Sequence, residues 1–291
     1  MGCCQCGPAV SPIENSSPQN YGTRLKNLDT LKSKFYVTDK ENRLWKIHKE
    51  ETAYEIGYML KNNRSILSLE RHDHILRPTS VLHASATSIA IQQPRASNDL
   101  FNLLSEPFDW DYISQQLVGI SHAILYLHSR GIAHRDIKPE NIVHHGGFLK
   151  LIDFDFSYPL SVLAHCGTEH FKCPKSLTEK WQTSVEEKSK KMDVYAFGKL
   201  VMSIMWHAAG HRMVPHGDFA FDTFHKKCVD SRKHPYTGSW GQWATCALLC
   251  LTEEPPSQIP IYLIVSEACT TKGAVAFNTD LQMSNTCPVF T

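Results

Sequence analysis

His134-Arg135-Asp136-Ile137-Lys138-Pro139-Glu140-Asn141 is the stretch on which the reading of this chain turns. Within eight positions it gathers a guanidinium, two carboxylates, an ammonium group and a carboxamide. Upstream, Ile113, Leu117, Ile120, Ile124 and Leu127 recur at steps of three and four, the period of one apolar helix face. Gly131 follows Arg130 and suits the C-terminal stop of that helix. Downstream, twelve residues past Asn141, Leu151-Ile152-Asp153-Phe154-Asp155 brings two further acids around a single aromatic ring.

The rest of the composition narrows the class. The 291 residues are 42% hydrophobic and 20% charged, enough for one large domain or two lobes with sizeable cores. Lys+Arg 30 against Asp+Glu 29 leaves a formal charge of +1, so no basic field points to nucleic acid as a partner. No run of about 18 apolar residues is present, which rules against a spanning helix. Of the ten cysteines, Cys3, Cys4 and Cys6 crowd the start and the others scatter from Cys166 to Cys287. The single C-x-x-C spacing, Cys3 to Cys6, has no second pair to make a zinc ribbon. The scattered thiols read as small buried hydrophobes or idle thiols in a reducing cytosol. Met1 to Asn15 has no basic start followed by an apolar run, so no secretory signal is expected.

The texture changes along the chain. Residues 1–26 read as a flexible leader rich in Gly, Pro and Ser. In residues 27–94, Phe35-Tyr36-Val37 and Leu44-Trp45-Lys46-Ile47 flank the polar turn Asp39–Asn42, which predicts a β-hairpin. Glu51 to Lys61 has a helical composition, and Ile75 to Val81 and Ser88 to Ile91 read as two more strands. In residues 95–268 the pattern is helical, with further apolar stretches at Val194–Trp206 and Trp243–Leu251. Residues 269–291 form a polar tail without periodicity. The expected fold is α+β: a small β-rich lobe, mostly antiparallel with one helix, then a larger helical lobe.

The His134–Asn141 run resembles the catalytic loop of eukaryotic-type Ser/Thr protein kinases. The resemblance covers roughly Asn27 to Val265 and is strongest from Trp110 to Met202. It implies the bilobal kinase fold, ATP and Mg²⁺ as cofactors, and Ser/Thr hydroxyls of proteins as acceptors. Asp136 would take the hydroxyl proton, and Lys138 would face the γ-phosphate, as in the Ser/Thr-specific branch. Asn141 would offer its amide oxygen to Mg²⁺, a hard cation. Asp153 would be the second metal ligand, in a D-F-G-like run whose Gly is replaced by Asp155. Arg135 would be available to clamp an acidic or phosphorylated group. Gly167-Thr168-Glu169-His170-Phe171-Lys172-Cys173-Pro174-Lys175 resembles the G-T-x-x-Y-x-A-P-E docking loop, with Thr168 expected near Asp136 and Lys138. Lys175 stands where the family has Glu, and Gln258 where its Arg partner is expected. Asp193, in Asp193-Val194-Tyr195-Ala196-Phe197-Gly198, would brace the catalytic-loop backbone.

Upstream the resemblance implies a nucleotide site. Leu44-Trp45-Lys46-Ile47 is similar to V-A-I-K, which assigns Lys46 to the α- and β-phosphates. Glu55 is the candidate partner of Lys46, with Glu50 and Glu51 as competitors. His72-Asp73-His74-Ile75-Leu76 is similar to H-P-N-I-V, and Ile91, Gln92 and Gln93 would be gatekeeper and hinge beside adenine. The stretch Thr30–Val37 stands where G-x-G-x-x-G is expected and holds no glycine, leaving Lys32 or Lys34 to cover phosphate by charge. The compact, divergent form is similar to kinases of large DNA viruses such as herpesviruses. That missing loop makes a membrane-tethered pseudokinase, a binding scaffold, the alternative to an active enzyme. A kinase-fold enzyme acting on a small-molecule hydroxyl is a third reading, against which Lys138 and Thr168 speak.

The leader carries its own signal. Met1-Gly2-Cys3-Cys4-Gln5-Cys6 resembles an N-myristoylation start, with Cys6 where Ser or Thr is usual. A single myristoyl chain binds membranes only at about 10⁴ M⁻¹, so stable attachment needs a second signal. Residues 1–23 contain no Lys or Arg, which leaves palmitoylation of Cys3 and Cys4 as that signal. The expectation is a cytoplasmic protein held at a membrane surface. Cell fractionation should move Gly2→Ala and Cys3/Cys4→Ser proteins into the soluble fraction, and equal partition of all three removes the anchor.

Overall fold

Asp39 organises the first hairpin. Its carboxylate accepts from the backbone N–H of Glu41 (3.0 Å) and Arg43 (2.9 Å), from Arg43 Nε (2.7 Å) and from Trp45 Nε1 (2.8 Å). Desolvation pushes this carboxyl up, but the hydrogen bonds from Trp45 and Arg43 and the Arg43 charge outweigh it and hold it well below the usual carboxylate range. Asn42 takes the left-handed conformation the turn needs (φ 62°), which Asn tolerates better than most residues. Arg95 closes the turn through Thr38 Oγ1 (3.0 Å) and Asn42 Oδ1 (2.9 Å).

That hairpin, in this computed structural model, joins β1 (Lys34–Thr38) to β2 (Leu44–Lys49). The structure describes residues 34–49, 53–85, 87–208 and 239–264. The leader expected to be acylated, Thr30–Ser33 with Lys32, the competitors Glu50 and Glu51, and the 269–291 tail lie outside the described residues. Residues 34–37, expected in the phosphate-covering stretch, are strand.

The chain divides into two units, one running to Glu70 and resuming at Arg77–Arg95, the other made of Arg71–Leu76 and the chain from Ala96 onward. In the first, α1 (Ala53–Leu67) is followed by β3 (Ser80–Ser85) and β4 (Ser88–Gln93), and the sheet order is β1-β2-β4-β3, antiparallel throughout. One sheet face buries Trp45, Ile47 and Ala90. The other packs Val81, Ile89 and Ile91 against Ile56 and Met59 of α1, spaced to share one helix face. The strand expected at Ile75–Val81 begins instead at Ser80. Pro78 has no N–H to give a ladder, and the apolar pair before it, Ile75 and Leu76, pairs elsewhere.

It pairs in the second unit. Leu151 N donates to His74 O (2.9 Å) and Leu76 N to Leu151 O (2.9 Å), so residues 74–76 lie parallel beside β8 (Phe148–Leu151). The His74 ring fills the space a side chain at Gly119 would need, since a Cβ there would stand 2.0 Å from Nε2, and its Nδ1 lies 2.8 Å from Leu149 O. Burial is the main cause that lowers the pKa of both His72 and His74.

The remaining elements of this unit are short strands around long helices. β5 (Asn98–Asp99) leads into α2 (Leu100–Leu103), whose first turn Asp99 caps through Asn102 N (2.7 Å). α3 (Trp110–Ser129) is capped by Asp109, and the predicted face of Ile113, Leu117, Ile120, Ile124 and Leu127 is buried. β6 (Ile132–Ala133) pairs with β9 (Tyr158–Pro159), and β7 (Ile142–His145) lies between β5 and β8. Gly146 and Gly147 both have positive φ (62° and 84°), as a two-residue hairpin turn between β7 and β8 demands. After α4 (Lys175–Lys180) comes α5 (Val185–Ala208), longer than the apolar stretch suggested and sunk in protein along most of its length. α6 (Ser239–Cys250) packs on α5 where Gly198 leaves room: a Cβ there would meet Cys250 Cβ at 2.7 Å. Cys246 and Cys250 are core residues, and burial pushes the Cys173 thiol up to about 12, so these thiols act as small hydrophobes. Among the described residues no helix is long and apolar enough to cross a membrane.

Candidate active site

The polar octapeptide leaves α3 and turns back under the control of one buried carboxylate. Asp193, wholly buried on α5, accepts from His134 N (2.8 Å) and His128 Nε2 (2.8 Å) through Oδ2 and from Arg135 N (2.7 Å) through Oδ1. Burial raises its pKa, but the His128 hydrogen bond, the positive potential of His128 and His134, and the Arg135 amide reverse that, leaving the carboxyl below its ordinary range. Arg135 adopts φ 67°, a conformation that costs a non-glycine residue about 1–3 kcal/mol and persists only where the surroundings enforce it. Its guanidinium lies over the Tyr158 ring (4.9 Å) and donates to Val162 O and to Ser189 Oγ (3.4 Å).

Bent this way, the loop gathers Asp136, Lys138 and Asn141 into one network with Thr168. Asp136 Oδ1 accepts from Thr168 N (2.9 Å) and Thr168 Oγ1 (2.7 Å). Asp136 Oδ2 accepts from Asn141 Nδ2 (2.7 Å) and lies 3.2 Å from Lys138 Nζ. Lys138 Nζ also donates to Thr168 Oγ1 (2.6 Å). Burial pushes Asp136 up, while the Thr168 hydrogen bond and the charges of Lys138 and His134 pull it down further, so it is held as a carboxylate. Because Asn141 spends its NH₂ on Asp136, as carboxylate and backbone carbonyl (2.8 Å), its Oδ1 is the end left for a hard cation.

Asp153 enters by a backbone contact. Ile152 N donates to Asn141 O (2.9 Å), which sets the next residue, Asp153, beside Asn141. The left-handed residue of this run is Asp153 (φ 62°). Asp155 is not among the residues with positive φ, so the absent glycine imposes no left-handed backbone strain in this conformation. Phe154 is buried with its ring 5.1 Å from that of His134, and Ser157 is buried with its hydroxyl donating to His134 O (3.3 Å).

Residues 31–250 match the family model described as the protein kinase domain. The chain belongs to the protein kinase family. Relatives include 3-phosphoinositide-dependent protein kinase B of Dictyostelium discoideum, 36% identical over 121 residues, or 38% of this chain and 13% of the relative. CBL-interacting protein kinase 29 of Oryza sativa subsp. japonica is 28% identical over 58% of this chain and 37% of its own length. Aurora kinase of Patiria pectinifera is 31% identical over 58% of this chain and 41% of its own. The chain thus spans less than half the length of each of these relatives.

In this member of the protein kinase family the residues expected at the nucleotide all lie in the first unit. Lys46 is fully buried in β2 and in register with Ile91, itself fully buried in β4. Register partners share a sheet face, so Lys46 stands on the side that α1 covers. Gln92 pairs with Trp45 and Gln93 with Leu44 at the end of the same ladder. Glu55 lies exposed in the first turn of α1. Lys175 and Gln258, standing where the family has an ion pair, are both exposed. Sequence reasoning missed His128: its one signal was a histidine on an otherwise apolar helix end, two residues before Arg130.

Gly167 gives this candidate site a sharp test. Its φ is 104°, and a Cβ there would stand 2.2 Å from Arg135 O. Gly167→Ala should cost about 1–3 kcal/mol in chemical denaturation and lower kcat/KM for a peptide by moving Thr168 off Asp136. An unchanged kcat/KM would show that the close approach is dispensable.

Proposed function

We propose that this kinase transfers the γ-phosphate of ATP to Ser or Thr hydroxyls of proteins. The carrying observation is the Asp136–Lys138–Thr168 network: an ionised carboxylate beside an ammonium group, both fixed by one hydroxyl residue of the docking loop. Asp136 accepts the proton of the acceptor hydroxyl as its oxygen bonds to phosphorus, and the bond to ADP breaks. Lys138 offsets negative charge on the phosphoryl group in flight. Asn141 Oδ1 and the Asp153 carboxylate are hard oxygen donors that would hold Mg²⁺. Among the described residues no cluster of three His, Cys, Asp or Glu stands ready to bind a metal alone. Mg²⁺ takes one or two protein oxygens and completes its shell with phosphates and water. Bound there, the ion would neutralise the β- and γ-phosphates. Lys46 would meet the α- and β-phosphates, and Ile91, Gln92 and Gln93 the adenine.

The test is Mg²⁺-dependent transfer of labelled phosphate from ATP to generic Ser/Thr proteins, with phosphoamino-acid analysis, wild type against Asp136→Asn. Phosphoserine or phosphothreonine from wild type alone supports the assignment. Partner binding with no transfer by wild type returns the scaffold reading.

A further inference from the structure

The segment from Thr168 to Trp181 is fixed at both ends. At its start, Thr168 is bonded to Asp136 and Lys138, and Phe171 N and Lys172 N turn back onto Thr168 O (3.0 and 2.9 Å). At its far end, Trp181 is buried with Cys173, Met192 and Tyr195, and its Nε1 donates to Glu253 O (2.7 Å). Across the indole lies Lys191 of α5, its Nζ 5.6 Å from the ring centroid. The same ammonium group is 3.0 Å from Glu254 Oε1 and 3.6 Å from Glu187 Oε1.

Lys191 is only 4% exposed, an unusual place for a lysine unless partners hold it. Its partners come from three stretches of chain: the indole from the end of the docking segment, Glu187 from its own helix, and Glu254 from the turn after α6. A cation over an aromatic face, paired to two carboxylates as well, joins these stretches at a single point. Lys175 contributes nothing comparable, being exposed and 3.6 Å from Glu179 on its own short helix.

We infer that Trp181, Lys191 and Glu254 form the anchor that fixes the C-terminal end of the docking segment and so positions Thr168 against Asp136 and Lys138. They are positioning residues. Cys173, five residues past Thr168 and 2% exposed in the Trp181 cluster, is the intermediate fixed point. The consequence for catalysis rests on the phosphotransfer reading, whereas the anchoring itself does not.

The test is hydrogen exchange on the full chain, following the amides of Thr168, Phe171 and Lys172, together with peptide kinetics. Lys191→Met keeps the apolar stem and removes the charge, and Glu254→Gln removes the partner at an exposed position. Lys191→Arg restores a cation over the ring. Exchange of the three amides should rise about tenfold in Lys191→Met, the effect of losing one hydrogen bond to a charged group, and less in Glu254→Gln. The amides of α3 should be unchanged, and Lys191→Arg should stay within about twofold of wild type. The peptide kcat/KM should fall about fivefold in Lys191→Met, with the KM for ATP nearly constant. Wild-type exchange at all three amides in both Lys191→Met and Glu254→Gln would overturn the anchor. So would faster exchange spread evenly through α3 and α5 that Lys191→Arg fails to restore. If wild type transfers no phosphate, exchange alone decides the anchor, and only the phosphotransfer reading falls.

Discussion

Replacing Asp136 by Asn is expected to lower phosphotransfer by about 10³-fold, the scale of a lost general base. The shape is kept, so Thr168 retains an acceptor and the loop retains its brace on Asp193. Lys138, however, loses the charge it faces at 3.2 Å, and Asn141 loses its carboxylate acceptor. Cooperative unfolding should therefore survive while turnover does not. The pH dependence follows from the depressed pKa of Asp136. A carboxyl held below its ordinary value of about 3.9 is ionised above that value and is lost as a base only as the pH falls further. Between about pH 5 and 8, kcat/KM should show no acid limb from Asp136. A limb near neutrality that vanishes in the residual activity of Asp136→Asn would contradict the depressed pKa of Asp136.

Asp193→Ala should be the most damaging substitution for stability. It strands the His134 and Arg135 amides and His128 Nε2 in a dry interior, and breaking a buried charged contact from one side costs about 3–5 kcal/mol. Urea unfolding should report that loss, and the released loop should carry Asp136 out of place, so activity falls as well. The sign of the pH effect is again that of a depressed carboxyl. The stabilisation is complete above the unfolded pKa of about 3.9 and disappears as the pH falls through the lower folded value. In Asp193→Ala this part of the acid dependence should be missing. A urea midpoint equal to wild type would mean that the brace bears no strain.

Local pattern carried the reading where chemistry and sequence are close together. The apolar face of Ile113 to Leu127 became the buried side of α3, and the hairpin around Asp39–Asn42 formed because its turn residues bond one another. Asp136, Lys138 and Asn141 fall within six residues, so their meeting required only one bend. Other features escaped because their partners are remote. His128 meets Asp193 across 65 positions, and Trp181 meets Glu253 across 72, pairings that no periodicity announces. β5, β6 and β9 have two residues each, too short for alternation to register. Ile75 and Leu76 looked like the start of a strand because they are apolar and β-prone. Their true partner, Leu151, lies beyond any local window.

That last pairing has a consequence for how such a protein can be taken apart. Six residues of the second unit, Arg71–Leu76, are encoded inside the first. A fragment begun at Ala96 would leave them behind, opening the edge of β8 at Leu151 and baring the hollow over Gly119 where His74 sat. Open strand edges recruit other chains. Such a fragment would be sticky, and a cut that keeps the second unit whole must carry residues 71–76 along with it.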